Sequence, residues 1–159
     1  MRMNRLRLAL PLVLMVMSLQ ATASEEGAVT DTGFDAELAA ELGADRYGMR
    51  QYVMAFLRVG PNQGGDPEQA RATQAAHLAH IRQMANDGKL LLAGPFVDSG
   101  DVRGIFILAV DDMAEAEALT RADPAVRAGR LEMELKPWYG SAALMHPNMV
   151  HRRIARENP

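Results

Sequence analysis

The sequence contains no cysteine and few aromatic residues, and both shortages limit what the protein can be. Among its 159 residues there are one tryptophan, three tyrosines and four phenylalanines. Without cysteine there are no disulfides, no thiol nucleophile and no thiolate ligand for a metal. The fold must therefore be stabilised by core packing, to which association with a second copy can add.

The sequence also lacks an apolar run long enough to span a bilayer. The N-terminal apolar stretch covers residues 8–19, which is 12 residues against roughly 20 for a transmembrane helix. Three arginines precede it, and the small-residue sequence ATA at residues 21–23 follows it. This three-part pattern is typical of a secretory signal peptide, whereas a membrane anchor is the alternative. We predict that residues 1–23 are a signal peptide cleaved after Ala23, so that the protein is periplasmic or secreted.

The remaining 136 residues are acidic and fit one domain. Removing residues 1–23 takes away three of the 17 basic residues and no acid, so 14 basic and 20 acidic residues remain, a net charge of −6. This balance argues against nucleic acid or an anionic membrane as a partner. We predict a domain at residues 50–140, preceded by an acidic extension (24–49) and followed by a C-terminal extension (141–159). In the acidic extension, FDAELAAELG predicts a short helix.

The domain alternates between strand and helix patterns. Runs rich in β-branched and large apolar residues predict strands, whereas the 3.6-residue period and capping signals predict helices. The predicted elements are a strand at 51–58, a helix at 67–87, strands at 89–94 and 103–110, a helix at 113–122 and a strand at 130–140. The order βαββαβ indicates an α+β, ferredoxin-like fold, with a four-stranded antiparallel sheet and both helices on one face.

This arrangement predicts a homodimer. Two of the strands carry apolar residues in both phases, in the sequences LLL (90–92) and IFIL (105–108). Since the helices cover one face of the sheet, the other face needs a cover as well. Pairing of two sheets face to face is the simplest cover. Coverage by residues 24–49 or 141–159 of the same chain is the alternative.

The long predicted helix carries a histidine on its apolar face. At about 100° per residue, His77 falls inside the apolar stripe, whereas Arg82 and Gln83 point to water. An imidazole accepts and donates protons near neutral pH, so an inward-facing histidine is a candidate general acid or base. A core histidine bonded to a backbone carbonyl is the alternative interpretation.

Asp123 is the candidate partner of this histidine. It precedes Pro124, which marks the end of the second helix. Because the two helices run antiparallel in this fold, that end lies beside the first half of the long helix. There Asp123 can hold the His77 tautomer and stabilise its cation. The alternative is that Asp123 only ends the helix before Pro124 and takes no part in a reaction.

Two weaker metal signals are present. His77 and His80 lie one turn apart on the helix, and MHPNMVH (145–151) combines two methionines with two histidines, ligands that suit copper. Neither has further ligands at a telling spacing, and residues 145–151 are interpreted as a solvent-side tail. No phosphate-binding loop, dinucleotide fingerprint or G-x-S-x-G motif is present. We therefore expect no metal and no cofactor.

Four segments of the chain resemble the YCII-related (YciI-like) family, in particular its exported members. They are AHLAHIRQMANDGKLLLAGP (76–95), RGIFILAV (103–110), RADPAVRAG (121–129) and LKPWYG (135–140). The resemblance covers residues 51–144 and implies a ferredoxin-like fold, dimeric in the manner of α/β-barrel proteins.

The resemblance also implies an active site around His77 and Asp123, and some relatives are dehydrochlorinase-type enzymes that act on ring compounds. Many members carry arginine three residues before the histidine, where this chain has Gln74. The resemblance therefore does not imply an anion-binding arginine at this position of the chain.

Two functions follow from these residues. The first is an enzyme that uses His77 and Asp123 for proton transfer or elimination on a small organic molecule. The second is a non-catalytic, periplasmic, small-molecule-binding dimer that uses the same pocket. For either function, the predicted ligand-binding residues are Gly94, Pro95, Phe96, Trp138 and Tyr139.

Overall fold

The computed structural model describes residues 33–157, so the predicted signal peptide lies outside the described residues. The elements in chain order are helix α1 (Ala36–Glu41), strand β1 (Met49–Val59), helix α2 (Pro67–Asn86), strands β2 (Leu90–Pro95) and β3 (Val102–Leu108), helices α3 (Met113–Ala122) and α4 (Pro124–Arg127), strand β4 (Leu131–Ser141), a 3₁₀ helix (Ala142–Met145) and helix α5 (Pro147–Ile154). The predicted alternation over the domain is confirmed. Between residues 33 and 157, none of the helices has the length and apolar character needed to cross a bilayer.

The four strands form one antiparallel sheet in the order β2-β3-β1-β4. Strand β3 lies between β1 and β2, so α2 crosses over it to join them. Strand β1 lies between β3 and β4, so α3 and α4 make the second crossover. This interleaving of two βαβ units is the ferredoxin-like α+β fold that the element order predicts. Strand β2 is therefore an edge strand.

The ends of the long helix α2 are determined locally. The Asp66 carboxylate accepts hydrogen bonds from the backbone N–H groups of Glu68 and Gln69, at 3.2 and 3.3 Å. Pro67 occupies the first turn, where its missing N–H is not needed. At the other end, Gly88 has a φ of +72°, which lets the chain turn directly into β2.

The second crossover contains a helix that the sequence reading missed. Helix α3 ends at Asp123, as predicted from the following proline, but a new helix, α4, begins at once at Pro124. Asp123 has extended backbone angles and accepts a hydrogen bond from the Ala125 N–H at 2.8 Å. The same residue thus stops one helix and caps the next.

The helices cover one face of the sheet and form the main core with it. Along β1 the odd-numbered residues Val53, Ala55 and Leu57 point into this core, and Phe106 and Leu108 of β3 lie beside them. Met84 of α2 and Ala116 of α3 complete the core from the helix side. This alternation along each strand is what positions the opposite set of side chains on the other face.

The face opposite the helices is partly covered by the C-terminal extension. Tyr52, Leu91 and Ile107 are buried there, and Leu144 and Met145 of the 3₁₀ helix pack against them. Of residues 145–151, which were interpreted as a solvent-side tail, Met145 packs on the sheet, whereas Met149, Val150 and His151 are exposed. Packing Leu144 and Met145 on the sheet removes apolar surface from water and so favours this position of the segment.

Candidate active site

His77 is held on the buried face of α2. Its side chain is buried, and its ring stacks over that of Phe106 in β3, with 6.2 Å between the ring centroids and 20° between the planes. The imidazole therefore lies between the helix and the sheet, with one side against the main core. This packing restricts the orientation of the ring.

Asp123 reaches the same point from the junction of α3 and α4. The His77 Nδ1 lies 2.8 Å from Asp123 Oδ2 and 3.0 Å from Oδ1. An ionised carboxylate only accepts hydrogen bonds, so Nδ1 carries the proton and donates it. The Asp123 carboxylate, which is fully buried, thus accepts from both the imidazole and the Ala125 N–H. These bonds replace the water that the carboxylate loses on burial.

The other ring nitrogen of His77, Nε2, belongs to a side chain that lines a cavity. Within residues 33–157, Nε2 has no hydrogen-bond partner, yet it is not among the fully enclosed polar atoms, so part of it stays accessible. His77 lines a cavity of about 1090 Å³. In the neutral imidazole with the proton on Nδ1, the lone pair of Nε2 is available to accept a hydrogen bond or a proton. The arrangement is that of an imidazole oriented by a buried carboxylate and open to a ligand on its other side.

The cavity is a groove along the edge strand β2. Helix α2 lines one side of it and α5 the other, and all six residues of β2 contribute to its lining. Along α2 the lining extends from Thr73 past His77 to Asn86. From His77 to Asn86 alone, nine residues correspond to roughly 13 Å at about 1.5 Å per residue. The groove is large enough for a small organic ligand, for which pockets of roughly 300–1,000 Å³ are usual.

Three of the predicted ligand-binding residues lie at this cavity. Gly94, Pro95 and Phe96 form the end of β2 and the residue after it, and all three line the groove. Phe96 is half exposed at 47 % of its surface. Gly104, which pairs with Pro95, has no room for a side chain, because a Cβ there would lie 2.5 Å from the Gly94 carbonyl oxygen.

The structure does not bring Trp138 and Tyr139 to the cavity. The Trp138 ring packs against Tyr52, with 5.7 Å between the centroids, and belongs to the cluster on the opposite face of the sheet. The Tyr139 hydroxyl donates a hydrogen bond to Asp45. This bond raises the pKa of Tyr139 and is the main cause that lowers the pKa of the Asp45 carboxyl. The aromatic residues at the end of β4 thus serve the sheet face and the N-terminal segment.

The two histidines of α2 have different partners. His80 Nε2 lies 3.0 Å from the backbone oxygen of Leu119, so His80 ties α2 to α3. In the C-terminal segment, Met145 packs against the sheet, whereas His151 lines the cavity. In the described part of the chain, no three His, Cys, Asp or Glu side chains are grouped as metal ligands.

The contribution of α5 to the cavity was not predicted from the sequence. His151 and Arg152 of this helix line the groove, together with Arg103 of β3 and Arg130 before β4. These basic residues are far apart in the chain, and nothing in their spacing connects them with His77. The basic residues at 151–156 can be recognised in the sequence, but only the packing of α5 beside β2 shows which of them lie at the groove.

Comparison with known proteins adds three findings. The sequence model of the YCII-related domain matches residues 53–139. The uncharacterized protein YjpA of Bacillus subtilis (strain 168) is 30% identical over 64 residues, which are 40% of this chain and 73% of that protein. A solved structure, the 5-chloro-2-hydroxyhydroquinone dehydrochlorinase (TftG) from Burkholderia phenoliruptrix AC1100 in complex with 2,5-dihydroxybenzoquinone, is 21% identical, with a TM-score of 0.42. That match covers 54% of this chain and 92% of the other.

Replacing Asp123 with alanine is expected to destabilise the protein more than an ordinary loss of a helix cap. The substitution removes the α4 cap and leaves the buried His77 Nδ1–H without an acceptor, so we expect a loss of about 3 kcal/mol or more. Asp66→Ala is the matched control, because Asp66 caps α2 in the same way but is exposed. There we expect about 1 kcal/mol. Denaturant unfolding measures both, and equal losses would contradict a stabilising role of the His77 bond.

Proposed function

The chain belongs to the YCII-related domain family, and from this premise we propose that it is a small-molecule enzyme in which His77 and Asp123 act as an acid/base pair. The reaction class is proton transfer or elimination on an organic substrate. The substrate lies in the groove along β2, and no cofactor takes part.

One observation carries this proposal: His77 Nδ1 is bonded to the buried Asp123 carboxylate, while Nε2, which has no hydrogen-bond partner within residues 33–157, belongs to a side chain that lines the groove. A histidine that serves only the core has no need of a large cavity at its second nitrogen. A general base needs a free nitrogen, a defined tautomer and space for the reacting atom about 3 Å away. All three are supported by the geometry around His77.

The chemistry follows from the tautomer. Nε2 takes a proton from the substrate, and the ring becomes a cation beside the Asp123 carboxylate, which stabilises it. The substrate anion then either takes the proton back at another position, or uses the electron pair of the broken bond to form a double bond while a leaving group departs with the electrons of the bond that held it. In the first case the reaction is an isomerisation, in the second an elimination.

The substrate is best found by screening the purified protein for ligands that raise its melting temperature and then following each hit by NMR for conversion. With a converted substrate in hand, His77→Gln is expected to lower kcat by about a hundredfold or more, the usual contribution of a general base. His80→Gln is the matched control, since His80 lies one turn further on α2 and, among residues 33–157, its imidazole bonds the Leu119 carbonyl. Its kcat should stay within a few-fold of the wild-type value.

Full activity of the folded His77→Gln variant would contradict the proposed base. Ligands that raise the melting temperature but are never converted would instead favour the alternative, a non-catalytic binding protein. A His77→Gln protein that no longer folds is separated from both outcomes by its near-UV circular dichroism. Asp123→Asn then tests the pair, because it keeps the shape of the side chain but not its charge.

We infer in addition that the protein is exported, on the basis of the signal-peptide pattern at residues 1–23. Expression of the full-length chain in a Gram-negative host should yield a mature protein that begins at Ser24 in the periplasmic fraction. Sequencing the N-terminus of the purified product measures this. A product that keeps residues 1–23 would contradict cleavage.

We further infer that two copies pair through the face of the sheet opposite the helices. The C-terminal extension covers only part of that face, and Met54, Phe56 and Ile105 stay partly exposed beyond it. In strand alternation these three side chains share the face of Tyr52 and Ile107. A contact between two four-stranded sheets buries on the order of 800 Å² per partner, which is sufficient for a stable dimer.

Light scattering on the purified protein is expected to give the mass of a dimer at micromolar concentration. Phe56→Asp places a charge in the contact and should shift the mass towards the monomer. Val97→Asp is the control, because Val97 is fully exposed in the loop after β2 and lies outside that face. A wild-type monomer would contradict the pairing.

A further inference from the structure

We propose that α5 is a recognition wall for the substrate and that Arg152 binds its anionic group, so that the ligand is an organic anion with an apolar body. This inference rests on the proposed function only in placing the substrate in the groove along β2. It assigns a role to a helix that lies outside the matched family domain at residues 53–139.

One side-chain hydrogen bond joins α5 to the edge strand β2. The side chain of Asn148 donates to the backbone oxygen of Leu90, the first residue of β2, at 2.6 Å. Residues three and four positions further along a helix share its face, so His151 and Arg152 point to the same side as Asn148. Both line the groove, whereas Met149 and Arg153, on the outer side, do not.

The charge of the groove opposes that of the whole chain. The sequence has 20 acidic and 17 basic residues. Among the described residues that line the groove, however, the acid is Asp98 alone, against four arginines at positions 82, 103, 130 and 152. Within residues 33–157, neither Arg103 nor Arg152 forms an ion pair with a carboxylate. Because no carboxylate of the described residues neutralises Arg103 and Arg152, these two arginines favour an anionic ligand.

The remainder of the groove is apolar. Its side chains include Leu78 and Ile81 of α2, Leu91 of β2, and Val150 and Ile154 of α5. Val150 and Ile154 are 49 % and 73 % exposed, so the structure leaves an apolar strip of α5 in contact with water. A ligand with an apolar body would cover this strip and gain about 25 cal/mol for each Å² that it buries. The groove therefore suits a molecule with one charged end, such as an aromatic or aliphatic acid.

Basic residues in the last turn of a helix also have a purely structural explanation. They interact favourably with the helix dipole, and His151, Arg152 and Arg153 all lie in the last turn of α5. Arg152 and Arg153 share this effect, but only Arg152 lines the groove. Comparing substitutions of the two neighbours therefore separates recognition from helix stability.

The test uses two fluorescent probes that differ in one group: 1-anilinonaphthalene-8-sulfonate and its uncharged analogue N-phenyl-1-naphthylamine. We expect the wild-type protein to bind the sulfonate more tightly than the analogue, with one probe per chain. Arg152→Gln should weaken sulfonate binding about fivefold or more, since it removes a charge-assisted hydrogen bond. Binding of the uncharged analogue should stay within about twofold. Arg153→Gln, the matched control, should leave both affinities within about twofold of wild type.

Equal affinities of the two probes for the wild-type protein would overturn the proposal, as would equal losses in the Arg152 and Arg153 variants. Turnover of a substrate and binding of the probe are separate measurements, because the probe undergoes no proton transfer. The recognition role of α5 and the catalytic role of His77 can therefore fail separately. Loss of turnover in His77→Gln has no bearing on the recognition role of α5. Unchanged binding of the sulfonate by the Arg152 variant has no bearing on the catalytic role of His77.

Discussion

The hydrogen bond between His77 and Asp123 is the interaction on which the rest of this structure depends. It joins the middle of α2 to the point where α3 ends and α4 begins. The extended backbone of Asp123 lies at the end of one helix, and its buried carboxylate caps the next helix and orients the imidazole. Because burying such a group without its partners is costly, the two crossovers of the fold are held in one relative position. The imidazole held in this way lines the groove.

The groove itself results from an edge strand with helices on both sides. A ferredoxin-like sheet leaves β2 at its edge, with unpaired backbone groups that need a cover. Here α5 provides part of that cover through Asn148, which bonds the Leu90 carbonyl. The family domain thus supplies His77, Asp123 and one wall of the groove, and the C-terminal extension supplies the other wall. The residues that line the groove therefore come from segments that are separate in the chain.

Much of the fold was predictable because its signals are local. The caps at Asp66 and Asp112, the proline at position 67 and the break at Asp123 each act on the next few backbone groups. The predicted strands and the two long helices agree with the structure to within two residues. Helix α4 was missed because it has only four residues, which carry no periodicity. Trp138 and Tyr139 were predicted to be ligand-binding from residue type alone, which does not specify a face of the sheet.

The sequence by itself determined the order of the elements, the βαββαβ topology and the inward orientation of His77. These depend on capping, on the period of apolar residues and on chain connectivity, all of which act over short distances along the chain. Only the tertiary structure decided that α5 lies beside β2, that Arg152 faces the same groove as His77 and that the C-terminal segment covers part of the sheet. Such contacts join residues about 60 to 90 positions apart. Their energy comes from burial and hydrogen bonding across the fold, for which a single sequence carries no local signal.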